Sequence, residues 1–256
     1  MKPKYIDKCL TDGDIICYRA SASAENKLVE DAYNSIDDLM GYIINETVVF
    51  PTSDSFKVYL SGQGNFRHTV AKTHGYKANR TQPKPIHLPA ARDYLVKEYG
   101  AVISSGCEAD DLIAMEAMKG DPEATVVASI DKDYLTVPVW MFNFVKGTWE
   151  KPTEWEALCN FYEQILTGDV ADNVKGIYRV GPVKARKIME GAEDEIDLYN
   201  LCVEAYAEDF RKNGYACQDF IEYTKAEERV LENAQLLHLQ RYKGEMWEPP
   251  NGDKDK

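Results

Sequence analysis

The 256-residue chain has no run of about 18 apolar residues and no basic-then-apolar opening segment, so neither a membrane span nor a signal peptide is expected. The expectation is a soluble, monomeric protein of the cytoplasm, or of the host-cell cytoplasm for a phage-encoded chain. Its cysteines (Cys9, Cys17, Cys107, Cys159, Cys202, Cys217) are scattered, without C-x-x-C or short Cys/His spacing. That excludes a zinc knuckle and implies reduced, buried thiols. Histidine is scarce: His68, His74 and His87 lie in a loop-like stretch and His238 on a helix edge, so none is a candidate general base. There is no internal repeat and no low-complexity tract.

A shortage of positive charge argues at first against a nucleic-acid partner, since the net charge is −13 and phosphate binding draws on Lys and Arg. The distribution reverses that inference. From Ser55 to Arg92 there is no Asp or Glu, while Lys57, Arg67, Lys72, Lys77, Arg80, Lys84 and Arg92 are positive. A basic strip in an acidic protein is a local field.

What is present alternates strand and helix patterns through the first half, the signature of a parallel α/β sheet. Strands are expected at Tyr5 to Thr11, Lys57 to Ser61, Ala101 to Ser104, Thr125 to Ile130 and Val139 to Val145, with helices at Leu28 to Ile44, Leu88 to Tyr99 and Glu108 to Lys119. Gly62 to Pro85 reads as a loop or arch. After Pro152 the pattern is helical: Thr153 to Leu166, Pro182 to Met189, Glu195 to Tyr206 and Asp219 to Leu239, the last with Phe220 and Tyr223 on its apolar face. This implies an α/β core over 1–150, with a basic arch at about 62–92, a helical region over 151–248 and a flexible tail at 249–256.

The segment Thr167 to Pro182 joins a carboxylate pair to a glycine-punctuated turn. Asp169 and Asp172, three apart, share a face if the segment is a helical turn. Gly176 and Gly181 permit close backbone approach to an anion at the start of a helix. Further acids stand at strand ends, where open α/β sheets place their chemistry: Asp12 after the first strand, Glu108, Asp110 and Asp111 after the third, Asp131 and Asp133 after the fourth. Asp14 reads as a structural turn residue. Eight carboxylates gathered at one edge require cations, and an oxygen-only donor set selects two Mg²⁺ or Mn²⁺ ions.

These blocks resemble the 5′-nuclease family: flap endonucleases, the 5′-exonuclease domain of bacterial DNA polymerases and phage-type 5′–3′ exonucleases. Asp12-Gly13 with Tyr18-Arg19-Ala20 resembles the family's first block, and Tyr76-Lys77-Ala78-Asn79-Arg80 its basic arch motif. Gly106 to Asp111 resembles the acidic helix, Ser129 to Asp133 the D-x-D block, and Thr167 to Ala185 the last metal pair with the helix-three-turn-helix. The resemblance implies a PIN-like, mostly parallel sheet with flanking helices. It implies two-metal hydrolysis of DNA at 5′ ends, flaps and duplex, extending to the RNA of RNA–DNA hybrids.

By the same resemblance Lys77 and Arg80 act on the scissile phosphate and the eight carboxylates hold metal. Nucleic acid is met by Arg19, Arg67, Lys72, Lys77, Arg80, Lys84, Gly176, Arg179, Gly181 and Lys184, with K⁺ at the helix-three-turn-helix. Two departures stand out. The family commonly carries an aspartate after the second strand, where this chain reads Ser61-Gly62-Gln63-Gly64, implying weaker metal binding. Arg179 occupies a turn position that often holds glycine. A catalytically inactive, structure-specific DNA-binding protein is the alternative favoured by the first departure. A phosphatase using Asp12 and Asp14 leaves the basic strip unexplained.

Overall fold

The computed structural model describes residues 2–48, 52, 54–212 and 219–251. Its elements in chain order are β1 (Lys8–Asp12), α1 (Gly13–Ser23), α2 (Val29–Thr47), β2 (Phe56–Gln63), α3 (Arg67–Val70), α4 (Leu88–Tyr99), β3 (Val102–Ser105), α5 (Ala109–Ala117) and β4 (Thr125–Ala128). A 3₁₀ turn (Lys132–Thr136) follows, then β5 (Trp140–Asn143), β6 (Thr148–Glu150), α6 (Glu154–Thr167), β7 (Gly168–Asp169), β8 (Val174–Lys175), α7 (Pro182–Ile188), α8 (Glu195–Lys212) and α9 (Asp219–Leu237). Of the expected tail, residues 252–256 lie outside the described residues, as do Cys217 and the side chains of Phe220 and Tyr223.

The chain divides into two compact units. The first comprises Met1–Asn65, Gln82–Glu154 and Leu239–Gly244; the second comprises Phe66–Thr81, Trp155–His238 and Glu245–Lys256. The basic strip is therefore not one arch of the α/β core: residues 66–81 belong to the helical unit.

In the first unit the sheet order is β3-β2-β1-β4-β5-β6, parallel except for the antiparallel edge β6, which the sequence pattern had not revealed. Alternation along the strands sends Cys9, Val58 and Val126 to one face, with Ile16, Ile36, Met40 and Leu95 of α1, α2 and α4. Leu10, Tyr59 and Val127 face the other way, against Ala109 and Ile113 of α5. Both faces are covered, as a parallel sheet requires. α4 ends at Gly100, whose φ of +64° is the left-handed stop that glycine adopts at little cost.

The second unit is helical around a core that includes Phe161, Tyr162, Ile165, Leu198, Cys202, Tyr206, Val230 and Trp247. α8 and α9 pack along each other. No helix among the described residues is long and apolar enough to cross a membrane.

Candidate active site

β1 pairs with β2 on one side and β4 on the other, so the strand order reverses there, and the crevice beyond the carboxyl ends of β1 and β4 is where α/β folds bind ligands. Asp12 closes β1 and caps α1: Oδ1 accepts the Ile15 N–H at 3.3 Å and Oδ2 accepts the Ser129 hydroxyl at 2.9 Å. It is 2% exposed. Burial, then the charges of Asp14 and Asp131, push its pKa up to about 7 against the opposing Ser129 and Ile15 bonds.

Asp110, in the first turn of α5, accepts the Tyr134 hydroxyl at 2.6 Å. Burial and the charges of Asp12, Glu108 and Asp131 hold its carboxyl well above the ordinary range. Asp131 caps the 3₁₀ turn and accepts the Asp133 N–H at 3.0 Å. The fold thus brings Asp12, Glu108, Asp110 and Asp131 into one mutually repelling neighbourhood.

Two neighbouring acids are committed elsewhere. Asp111 is buried, with Oδ2 accepting the Glu108 N–H at 3.0 Å and Oδ1 the Gln240 N–H at 3.1 Å. That ties the helix start to the returning 239–244 segment, a structural use in place of the expected metal contact. Asp14 pairs with Arg92 and accepts the Ser61 N–H at 2.8 Å; Arg92 also donates to the Ser61 carbonyl.

A divalent cation fits this edge by donor chemistry. All the groups are carboxylate oxygens, and the upward shifts at Asp12 and Asp110 reflect burial first and then mutual repulsion, both of which disfavour the bare anions and both of which a bound cation offsets. Among the described residues no three His, Cys, Asp or Glu converge as a preformed cage. Mg²⁺ does not need one, because it keeps several waters and takes one or two carboxylates directly.

Asp169 and Asp172 belong to the second unit, on an antiparallel β7–β8 hairpin and not on a helical turn. Asp169 Oδ1 accepts the N–H groups of Ala171 at 2.6 Å and Asp172 at 3.2 Å. Asp172 accepts the Tyr76 hydroxyl at 2.5 Å and pairs with Arg80 at 2.8 Å and Lys77 at 3.6 Å.

Several expected nucleic-acid contacts have internal duties. Arg67 is 2% exposed and donates to the carbonyls of Leu236 and His238, both at 2.8 Å, at the end of α9; burial removes it from any phosphate. A Cβ on Gly176 would collide with the Leu166 carbonyl oxygen and the Gly168 nitrogen. Its lack of side chain serves the hairpin's packing on α6. Nothing lies within 4 Å of a Cβ built on Gly181, so internal packing does not demand glycine there. Lys184 donates to the Arg179 carbonyl at 3.0 Å. Arg179, at φ +60°, stays exposed with its guanidinium 5.0 Å from the centre of the Tyr178 ring. Arg19, Lys72 and Lys84 are exposed.

Ser129 and Tyr134 were not anticipated as site residues. Both flank the D-x-D block, and Tyr134 stands three residues after Asp131, a spacing that brings side chains to one side of a helical turn.

No family model matches the chain. It is 25% identical over 236 residues to a 5′-3′ exonuclease of Buchnera aphidicola subsp. Schizaphis graminum, covering 84% of this chain and 81% of that protein. It is 31% identical over 154 residues to the thermostable DNA polymerase I of Thermus aquaticus, covering 49% of this chain but 17% of the polymerase, about a sixth of its length. Among solved structures, the T5 5′-exonuclease with bound zinc superposes with a TM-score of 0.64 at 17% identity, over 90% of this chain and 88% of that one. The PIN-like α/β fold is that of the phage enzyme. The chain thus resembles 5′-nucleases in both sequence and fold.

Proposed function

We propose that the protein is a metal-dependent 5′–3′ exonuclease and structure-specific flap endonuclease that hydrolyses DNA phosphodiesters, extending to RNA in hybrids. The observation that carries it is the gathering of Asp12, Asp110 and Asp131 at the β1/β4 crevice, where burial first, and then their neighbouring charges, raise the pKa of Asp12 and Asp110. When bound there, a divalent ion such as Mg²⁺ or Mn²⁺ would supply Lewis acidity and an activated water. Asp12, Glu108, Asp110 and Asp131 would hold it, directly or through its waters, with Asp133 beside them. Ser129 and Tyr134 orient Asp12 and Asp110 by donating to them. Lys77 and Arg80 offer fixed positive charge for the phosphoryl oxygens. Arg179 and Lys184 contact duplex phosphates, and K⁺ at that turn is part of the same reading.

The test is cleavage of 5′-flap and blunt duplex DNA labelled at either end, with Mg²⁺, Mn²⁺ or excess EDTA. Short 5′ products or released flaps that vanish with EDTA are expected. Cleavage in EDTA, or tight flap binding without cleavage in either metal, overturns the reading. The inactive-binder alternative rested on the missing aspartate at Gly62, where a Cβ would collide with the Ser104 carbonyl oxygen, so that the backbone packing itself calls for glycine.

A further inference from the structure

The basic turn 75–80 and the hairpin tip 170–173, both in the second unit, are fastened by reciprocal bonds. The Lys77 N–H donates to the Asp172 carbonyl at 2.9 Å, the Asn79 side chain to Val170 at 2.6 Å and the Arg80 Nε to Ala171 at 3.2 Å. In return the Asn173 side chain donates to the Gly75 carbonyl at 2.9 Å. At the centre one Asp172 carboxylate receives Arg80 on Oδ1, and Tyr76 and Lys77 on Oδ2. Lys77 and Asn173 both hold left-handed backbone, at φ +55° and +61°, a cost that non-glycine residues bear only where the surroundings fix them.

A carboxylate flanked by two cations and a phenol is a poor ligand for a dication. Both its oxygens already have partners, and the neighbouring charges repel a further positive ion. The same arrangement is well suited to hold two long, flexible side chains at defined places, which two ion pairs on one acceptor achieve at lower entropic cost than separate ones.

We propose that Asp172 is a positioning residue: it anchors the turn and sets the places of Lys77 and Arg80, and it does not ligate metal. The proposal rests on the nuclease reading for the role of those two cations, and not for the anchor itself.

Asp172→Asn keeps the shape and removes the charge. Trypsin should then cut after Lys77 or Arg80 on the order of tenfold faster, and hydrogen exchange at the Lys77 amide should rise correspondingly. Mn²⁺ binding, read from the free-ion electron paramagnetic resonance signal, should keep its stoichiometry and affinity within about twofold of wild type. Single-turnover cleavage should fall on the order of 10²-fold, with the Mg²⁺ requirement unchanged and no further loss in a Lys77→Ala/Arg80→Ala background. Asn79→Ala, on the other side of the same contact, should speed trypsin cleavage and leave Mn²⁺ binding intact, which covers the case of an Asp172 variant that does not fold.

Loss of one Mn²⁺ site in Asp172→Asn, or unchanged tryptic protection in both variants, overturns the proposal. Should wild type cut no DNA, the nuclease reading fails, while the Mn²⁺ and trypsin readouts still decide the role of Asp172.

Discussion

Gly62 lies against Ser104 so closely that no side chain fits between the ends of β2 and β3. A Cβ on Gly62 would stand 2.9 Å from the Ile103 Cγ2, 3.0 Å from the Ser104 carbonyl carbon and closer still to its oxygen. The Gly62 N–H donates to the Ser104 hydroxyl at 2.9 Å, and that hydroxyl donates to the Cys107 carbonyl at 2.6 Å, one residue before Glu108. The strand register shifts between Leu60 and Gln63, which brings the backbones together.

Gly62→Ala is therefore expected to destabilise by on the order of 3 kcal/mol or more, because backbone must move and the start of α5 moves with it. Gly62→Asp should do the same and should not lower the Mg²⁺ requirement. Gln63→Asp, on the exposed end of β2, should fold normally. Urea denaturation beside a Mg²⁺ titration separates the cases; a stable Gly62→Asp protein with tighter metal binding would show that the site accepts a ligand there.

Asp12 makes the metal-free protein sensitive to base. Its folded pKa, about 7, lies above the ordinary aspartate value of 3.8, so between those values the folded state binds more protons than the unfolded chain. Stability from this group is complete below the unfolded pKa and is lost as pH rises through about 7. In EDTA, Asp12→Asn, which retains an acceptor for the Ile15 N–H, should melt higher than wild type at pH 8 and show little of that advantage at pH 4. A wild-type melting temperature that rises from pH 5 to pH 8 relative to the variant refutes the assignment.

Arg67 looks like a phosphate contact in the sequence and is a helix terminator in the structure. Arg67→Ala leaves the Leu236 and His238 carbonyls without this donor at the end of α9, where positive charge also favours the helix dipole. A loss of about 2–4 kcal/mol in chemical denaturation is expected, with duplex affinity of the folded fraction unchanged. A variant of wild-type stability with weakened DNA binding would reverse this.

What the sequence made legible follows from local rules. α4 was readable end to end because Pro89 starts it, Gly100 stops it and apolar residues recur at helical steps. The strand-end acids were readable because parallel β-runs are short and punctuated. α1 was not: Gly13, Ser21 and Ser23 are poor helix formers, and the helix rests on the Asp12 cap and on burial of Ile16, Cys17 and Ala20, which are tertiary facts. Equally invisible was the division of the basic strip. Charge alone does not say that Arg67 turns inward to carbonyls, that Arg92 answers Asp14, or that Lys77 and Arg80 close on Asp172.

Arg179 provides a test in which stability and function move in opposite directions. Its φ of +60° is a conformation that costs a non-glycine residue about 1 kcal/mol. Its side chain is exposed, and the described packing gives that cost no structural return beyond the contact with Tyr178. Arg179→Gly should therefore raise stability slightly, by at most about 1 kcal/mol. If the guanidinium meets a duplex phosphate, the same change weakens duplex binding at low salt and makes the slope of log affinity against log salt shallower by about one contact. Arg179→Lys, which keeps the charge and the strain, should preserve the slope. A glycine variant that is more stable and binds duplex with unchanged affinity and salt slope would mean that Arg179 touches no phosphate.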